Sequence, residues 1–164
     1  MNRGVALGGF MGSGKTTVGA RLAGRMGLPF VDMDAVLAER HGAIPRQFVE
    51  DGEQVFRARE SSLLAELCDG VPRVLATGGG AWVREEHRAL LRRDYWTIVL
   101  QASLDELAER VGGGAGRPLW ADAVALFETR REAYADADLV VDTGGIDVDA
   151  VVARIEAWLA KAAS

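Results

Sequence analysis

The stretch Gly9-Phe10-Met11-Gly12-Ser13-Gly14-Lys15-Thr16-Thr17 constrains this chain more than any other. It satisfies the pattern GxxxxGK followed by Ser or Thr at every position. The apolar run Val5-Ala6-Leu7 before it reads as a short buried strand, and Val18-Gly19-Ala20-Arg21-Leu22-Ala23 after it reads as the opening of a helix. A strand, a glycine-rich loop and a helix in that order form an anion cradle. Successive backbone N–H groups converge at the positive end of the helix, and the glycines give the loop its freedom to turn. Gly12, Ser13, Gly14, Lys15, Thr16 and Thr17 are the expected nucleotide-binding residues. Lys15 is expected to reach the β- and γ-phosphates, and the Thr16 hydroxyl to hold Mg²⁺. The chain is therefore expected to bind a nucleoside triphosphate.

The remaining chain alternates short apolar strands with helices. Pro29-Phe30-Val31-Asp32, Val74-Leu75-Ala76, Trp96-Thr97-Ile98-Val99-Leu100 and Asp138-Leu139-Val140-Val141-Asp142 read as strands. The first helix is predicted to end at Gly27 and the next to run from Ala35 to about His41. Helical spacing continues from Ile44 to Leu67 with a break at Gly52. Further helices are predicted over about Arg84 to Arg93, to about Val111 from a Ser103 cap with Glu106 completing a capping box, over Ala121 to Tyr134, and over Val148 to Ala160. This alternation implies an α/β protein whose parallel sheet is covered on both faces. Ligands in such sheets bind beyond the carboxyl ends of the strands. The loops at Gly9 to Thr16, Asp32 to Asp34 and Thr77 to Gly80 all fall at such ends.

Two sets of side chains fit the acceptor half of a phosphoryl transfer. Asp32 and Asp34, two apart in an extended segment, would point the same way. One could hold Mg²⁺ directly or through water, and the other could accept a proton from a substrate hydroxyl. Asp34 as a simple helix cap is the alternative, and Asp142 is a rival metal carboxylate. The basic residues Arg57, Arg117 and Arg130 would suit a bidentate grip on a carboxylate or a phosphate.

Length and charge bound the possibilities. At 164 residues and 49% hydrophobic content the chain suits one domain, residues 1–164. A net charge of −5 gives no broad basic face for nucleic acid. Cys68 is the only cysteine, so no internal disulfide is available, and a small buried thiol is expected. Neither a signal-like apolar region nor a span-length run is visible, so a cytoplasmic protein with no membrane partner is expected. Nothing in the sequence calls for more than a monomer.

Taken together, Gly9 to Thr17, Asp32-Met33-Asp34, Gly52-Glu53 followed by Phe56-Arg57 and Glu60, Gly78-Gly79-Gly80, Arg117-Pro118-Leu119, and Arg130 four residues before Tyr134 resemble the shikimate kinases of the nucleoside monophosphate kinase-like group. The similarity runs through nearly the whole chain. It implies a three-layer α/β/α P-loop fold with a five-stranded parallel sheet in the order 2-3-1-4-5. It also implies an acceptor-binding helical segment at about 33–61 and a lid at about 112–124. The implied activity is ATP-dependent phosphorylation of the 3-hydroxyl of shikimate, in the pathway to aromatic amino acids. On this chain the resemblance assigns Asp34, Arg57, Gly78, Gly79, Gly80 and Arg130 to shikimate, with both arginines on its carboxylate. Thr16 and a water-mediated Asp32 take Mg²⁺, Lys15 and Arg117 take the transferring phosphoryl group, and Arg110 takes adenine. The chain departs from the family pattern in a segment one residue shorter at Gly42-Ala43-Ile44, in Trp120 in the lid, and in Gly144-Gly145. A kinase for aminoshikimate or gluconate and a non-catalytic nucleotide-dependent regulator are the alternatives. A GTPase lacks support because the only asparagine, Asn2, cannot supply a guanine-reading NKxD motif.

Overall fold

The computed structural model describes residues 3–110 and 120–164, with backbone only at 110, 120 and 121. Among the described residues, β1 (Gly4–Gly8), β2 (Phe30–Asp32), β3 (Val74–Ala76), β4 (Tyr95–Gln101) and β5 (Leu139–Asp142) form one parallel sheet in the order β2-β3-β1-β4-β5. This is the order the resemblance implied. β1 lies at the centre and β3 beside it, so the loop that follows each emerges next to the other.

Even these short buried strands alternate their side chains between two layers. Val5 and Leu7 of β1 pack with Val18 and Leu22 of α1 (Lys15–Met26) and with Val152, Ile155 and Leu159 of α8 (Val148–Ala162). Ala6 faces the other layer. There it joins Met33 and Leu37 of α2 (Met33–His41), Phe56 and Leu64 of α4 (Glu53–Leu67) and Tyr134. The remaining helices are α3 (Ile44–Glu50), α5 (Glu85–Asp94), α6 (Leu104–Arg110) and α7 (Trp120–Ala135), with a 3-10 turn at Ala81–Val83 after β3.

Helix boundaries follow local chemistry. α1 stops where Gly27, at φ 66°, takes the left-handed conformation and returns its N–H to Ala23. Gly52 divides the Ile44–Leu67 segment into α3 and α4, as its position predicts. Ser103 and Glu106 make the expected reciprocal cap: Ser103 N donates to Glu106 Oε2 at 3.1 Å and Glu106 N to Ser103 Oγ at 3.3 Å.

One expectation changes. α2 begins at Met33 rather than Ala35, so Asp32 and Asp34 do not share an extended segment. Asp32 ends the strand and caps the helix, accepting from Asp34 N at 3.0 Å and Ala35 N at 3.3 Å. The cap comes two residues earlier because Asp32 has extended backbone angles while its carboxylate reaches the first turn. Asp34 is thereby released from capping.

The acceptor-side helices are tied down by side chains to which the sequence alone assigned no role. Buried Gln47 of α3 donates from Nε2 to Leu37 O at 3.1 Å and to Gly42 O at 2.7 Å, satisfying the carboxyl end of α2. Arg40 and Glu66 join α2 to α4 through paired 2.8 Å hydrogen bonds. Phe48 and Phe56 stack with centroids 4.6 Å apart between α3 and α4.

Candidate active site

The loop between β1 and α1 is tied across by its own lysine. Gly14 precedes the helix at φ 95°, a conformation costly for other residues, and leaves the first amides of α1 directed into the loop. Lys15 Nζ folds back and donates to Gly9 O at 2.6 Å and Phe10 O at 3.2 Å. Desolvation lowers the Lys15 pKa to about 8; Asp34 and then Asp32 oppose this, and Arg130 adds a smaller lowering. Lys15 therefore shares one electrostatic neighbourhood with both aspartates and with Arg130.

Thr16 Oγ1 donates to Asp32 Oδ2 at 2.6 Å. These two hard oxygen ligands, together with Lys15, Asp34 and Thr77, line a cavity of about 280 Å³ beside the loop. Among the described residues no group of three or more His, Cys, Asp or Glu gathers as a metal cage. The donor set suits Mg²⁺, which keeps several waters and is held by one or two protein oxygens together with phosphates. Asp32 Oδ1 is occupied by the α2 cap, so only Oδ2, already accepting from Thr16, would be left for an ion. That favours contact through water. Asp142, the rival, accepts from Gly144 N at 2.9 Å at the end of β5.

Gly78, Gly79 and Gly80 gather the acceptor-side residues. A Cβ at Gly78 would lie 2.8 Å from Glu60 Oε2 and 3.0 Å from Asp34 Oδ1, and one at Gly79 would lie 3.0 Å from Arg130 Nη1. One at Gly80 would come within 2.2 Å of Arg57 Nη1. A side chain at any of the three would have to displace the end of a charged side chain, so the wall brings these charged groups against bare backbone. Asp34, Arg57 and Arg130 thus arrive from α2, α4 and α7 on one short stretch of backbone. The same Gly79 position lies 3.8 Å from Gly9 O, which joins this wall to the phosphate loop.

Asp34 remains exposed, so its desolvation is partial. Crowding by protein, then the charge of Asp32, still raise its pKa above the ordinary carboxylate value, while Lys15 and Arg57 pull it back. Arg57 donates from Nη1 to Glu60 Oε1 at 2.9 Å. Glu60 is only 1% exposed, and burial raises its pKa against the opposing pull of Arg57. Glu60 and Tyr134 received no role from sequence reasoning. Their helical spacing from Arg57 and Arg130, three and four residues, was the signal that could have paired them.

A larger cavity of about 480 Å³ lies between α6 and α7, beside Phe10 and Ser13. It includes neither Arg57 nor Arg130 in its lining, and it reaches the glycine wall only through Tyr134, whose hydroxyl donates to Gly79 O. Of the predicted residues, Arg117 and the side chain of Arg110 lie outside the described residues, as do positions 112–119 of the expected lid.

A profile described as shikimate kinase matches residues 11–160. The chain belongs to the shikimate kinase family. A shikimate kinase from Geobacter sulfurreducens is 44% identical over 164 residues, covering 96% of this chain and 91% of that protein. The structure of shikimate kinase from Acinetobacter baumannii in complex with shikimate superposes with a TM-score of 0.88 at 30% identity, covering 97% of this chain and 93% of that one. Shikimate kinase from Aquifex aeolicus gives 0.83 at 34% identity, with 97% of each chain covered. In this kinase the phosphate loop and the glycine wall follow the neighbouring strands β1 and β3, side by side at the carboxyl end of the parallel sheet.

Proposed function

We propose that this kinase phosphorylates the 3-hydroxyl of shikimate, with Asp34, Arg57, Arg130 and the backbone of Gly78, Gly79 and Gly80 forming the acceptor site. The observation that carries the reading is the glycine wall, which places one carboxylate and two guanidinium groups beside the loop that holds Lys15. The acceptor has the matching chemistry: a carboxylate for Arg57 and Arg130 and a hydroxyl for Asp34.

In the transfer, the acceptor oxygen forms a bond to the γ-phosphorus as the bridging oxygen of ADP departs, and the hydroxyl proton leaves toward Asp34. The protein contributes alignment and positive charge where negative charge accumulates. Lys15 moves from its loop carbonyls to the β- and γ-oxygens. Thr16 and, through water, Asp32 hold Mg²⁺, which supplies charge neutralisation on the phosphates when bound. Arg117 joins Lys15 at the phosphoryl group, Arg110 packs on adenine, and residues 112–124 close over ATP. Residues 1–164 act as one kinase domain with its acceptor segment at 33–61.

The test is release of ADP by the purified protein with MgATP. Rapid release is expected with shikimate and not with gluconate or with no acceptor. Equal release without acceptor would assign the loop to an ATPase or a regulator instead, and preference for aminoshikimate or gluconate would redirect the substrate.

A further inference from the structure

We infer that Tyr134 is a positioning residue for the acceptor site: its hydroxyl, anchored on the Gly79 carbonyl, backs the Arg130 guanidinium beside the same glycine, so that Arg130 meets the substrate carboxylate already oriented. This rests on the proposed role of Arg130.

Tyr134 is only 8% exposed, with its ring in the core layer beneath the wall. Its hydroxyl donates to Gly79 O at 2.9 Å, and a Cβ at Gly79 would lie 3.5 Å from that hydroxyl and 3.0 Å from Arg130 Nη1, so the phenol and the guanidinium crowd the same side of one glycine. The bond to Gly79 takes the phenol's single proton, so toward the neighbouring guanidinium its oxygen can serve only as an acceptor. Burial pushes the phenol pKa upward, Arg130 and then Arg57 draw it back, and the hydroxyl remains a donor at neutral pH.

The arrangement is more than core packing because α7 is already held elsewhere. Trp82 Nε1 donates to Ala133 O at 3.1 Å. Arg88 donates to Asp136 Oδ2 at 2.7 Å, and Arg92 also pairs with Asp136. These contacts seat the last turn of the helix without Tyr134. What the hydroxyl adds is the direction of one long, flexible guanidinium side chain, whose rotamer freedom would otherwise be lost only on binding.

Tyr134→Phe keeps the ring and removes the hydroxyl alone. Shikimate affinity, measured by calorimetry on the folded protein and as KM, is expected to weaken about tenfold, the order of a hydrogen bond to a charged group. The KM for ATP should stay within about twofold and kcat should change little, a split that general loosening of the fold would not produce. In an Arg130→Ala background, adding Tyr134→Phe should cost nothing further, since the group it orients is gone. Unchanged shikimate affinity in Tyr134→Phe, or penalties that multiply in the double variant, would overturn the inference while leaving the Arg130 assignment in place. Unchanged affinity in Arg130→Ala alone would remove that assignment and this inference together.

Discussion

Lys15 directs its ammonium onto two carbonyls of its own loop, and its pKa of about 8 means that a substantial fraction of free protein is uncharged there in mildly alkaline solution. A bound polyphosphate favours the charged form, so MgADP binding at pH 8 should take up a proton. Calorimetry in two buffers of different ionisation enthalpy should show uptake, and Lys15→Ala should abolish it; no uptake in the parent protein would contradict this. Affinity for MgADP should fall as pH rises above 8. The stability sign is opposite: a folded-state pKa below the model value of 10.5 disfavours the charged form in the native protein, so this residue's contribution to stability improves between about 8 and 10.5. At Asp34 the raised pKa places the acid limb of turnover above the ordinary carboxylate value of 3.8, with activity lost as pH falls through it. Asp34→Asn should lower kcat about 100-fold or more. Because Asp32 and not Asp34 caps α2, the melting temperature of that variant should stay within about 2–4 °C of the parent. A larger loss of stability would mean that Asp34 has a structural duty after all.

At the scale of the element, the wall after β3 offers a sharper test than any single charge. A methyl group at Gly80 would press on the far end of Arg57 rather than on backbone, so Gly80→Ala should fold and yet dislodge the guanidinium from Glu60. Shikimate KM should rise about tenfold, the order expected for losing a charge-assisted contact, with ATP KM unchanged. Most of the elements were legible in the sequence because their signals are local. Val74-Leu75-Ala76 is a continuous apolar run, Gly27 and Gly52 break helices by their own conformations, and Ser103 with Glu106 form a cap within one turn. The phosphate loop was legible for the same reason, since its neighbours in space are its neighbours in sequence. The start of α2 was not, because two aspartates can each cap and only the reach of Asp32 to both Thr16 and the first turn decides between them. Nor were Gln47, Glu60 and Tyr134 as partners, because a helical pattern marks which face is buried but not which backbone carbonyl or guanidinium waits there.

Over the whole molecule, the sheet separates a layer of α1 and α8 from the layer that carries the acceptor helices. Ile155 is fully buried in the first, so Ile155→Ala should cost about 2–5 kcal/mol of stability. Thermal melting should register that loss while shikimate KM, measured where the variant is folded, stays unchanged; a shifted KM would show that the two layers are coupled through the strands. The exposed ion pairs that fasten these helices, Arg21 with Asp149 and Arg25 with Glu156, belong to a weaker class and should add about 0–1 kcal/mol each. The glycine wall also has a bearing on evolutionary history. Every glycine of it abuts a charged side chain, so under the proposed assignment mutations there shrink or misalign the acceptor space. A descendant adapting to a bulkier acceptor would have to change elsewhere before it could change at the wall. Mutational drift in substrate preference is therefore channelled away from these three positions.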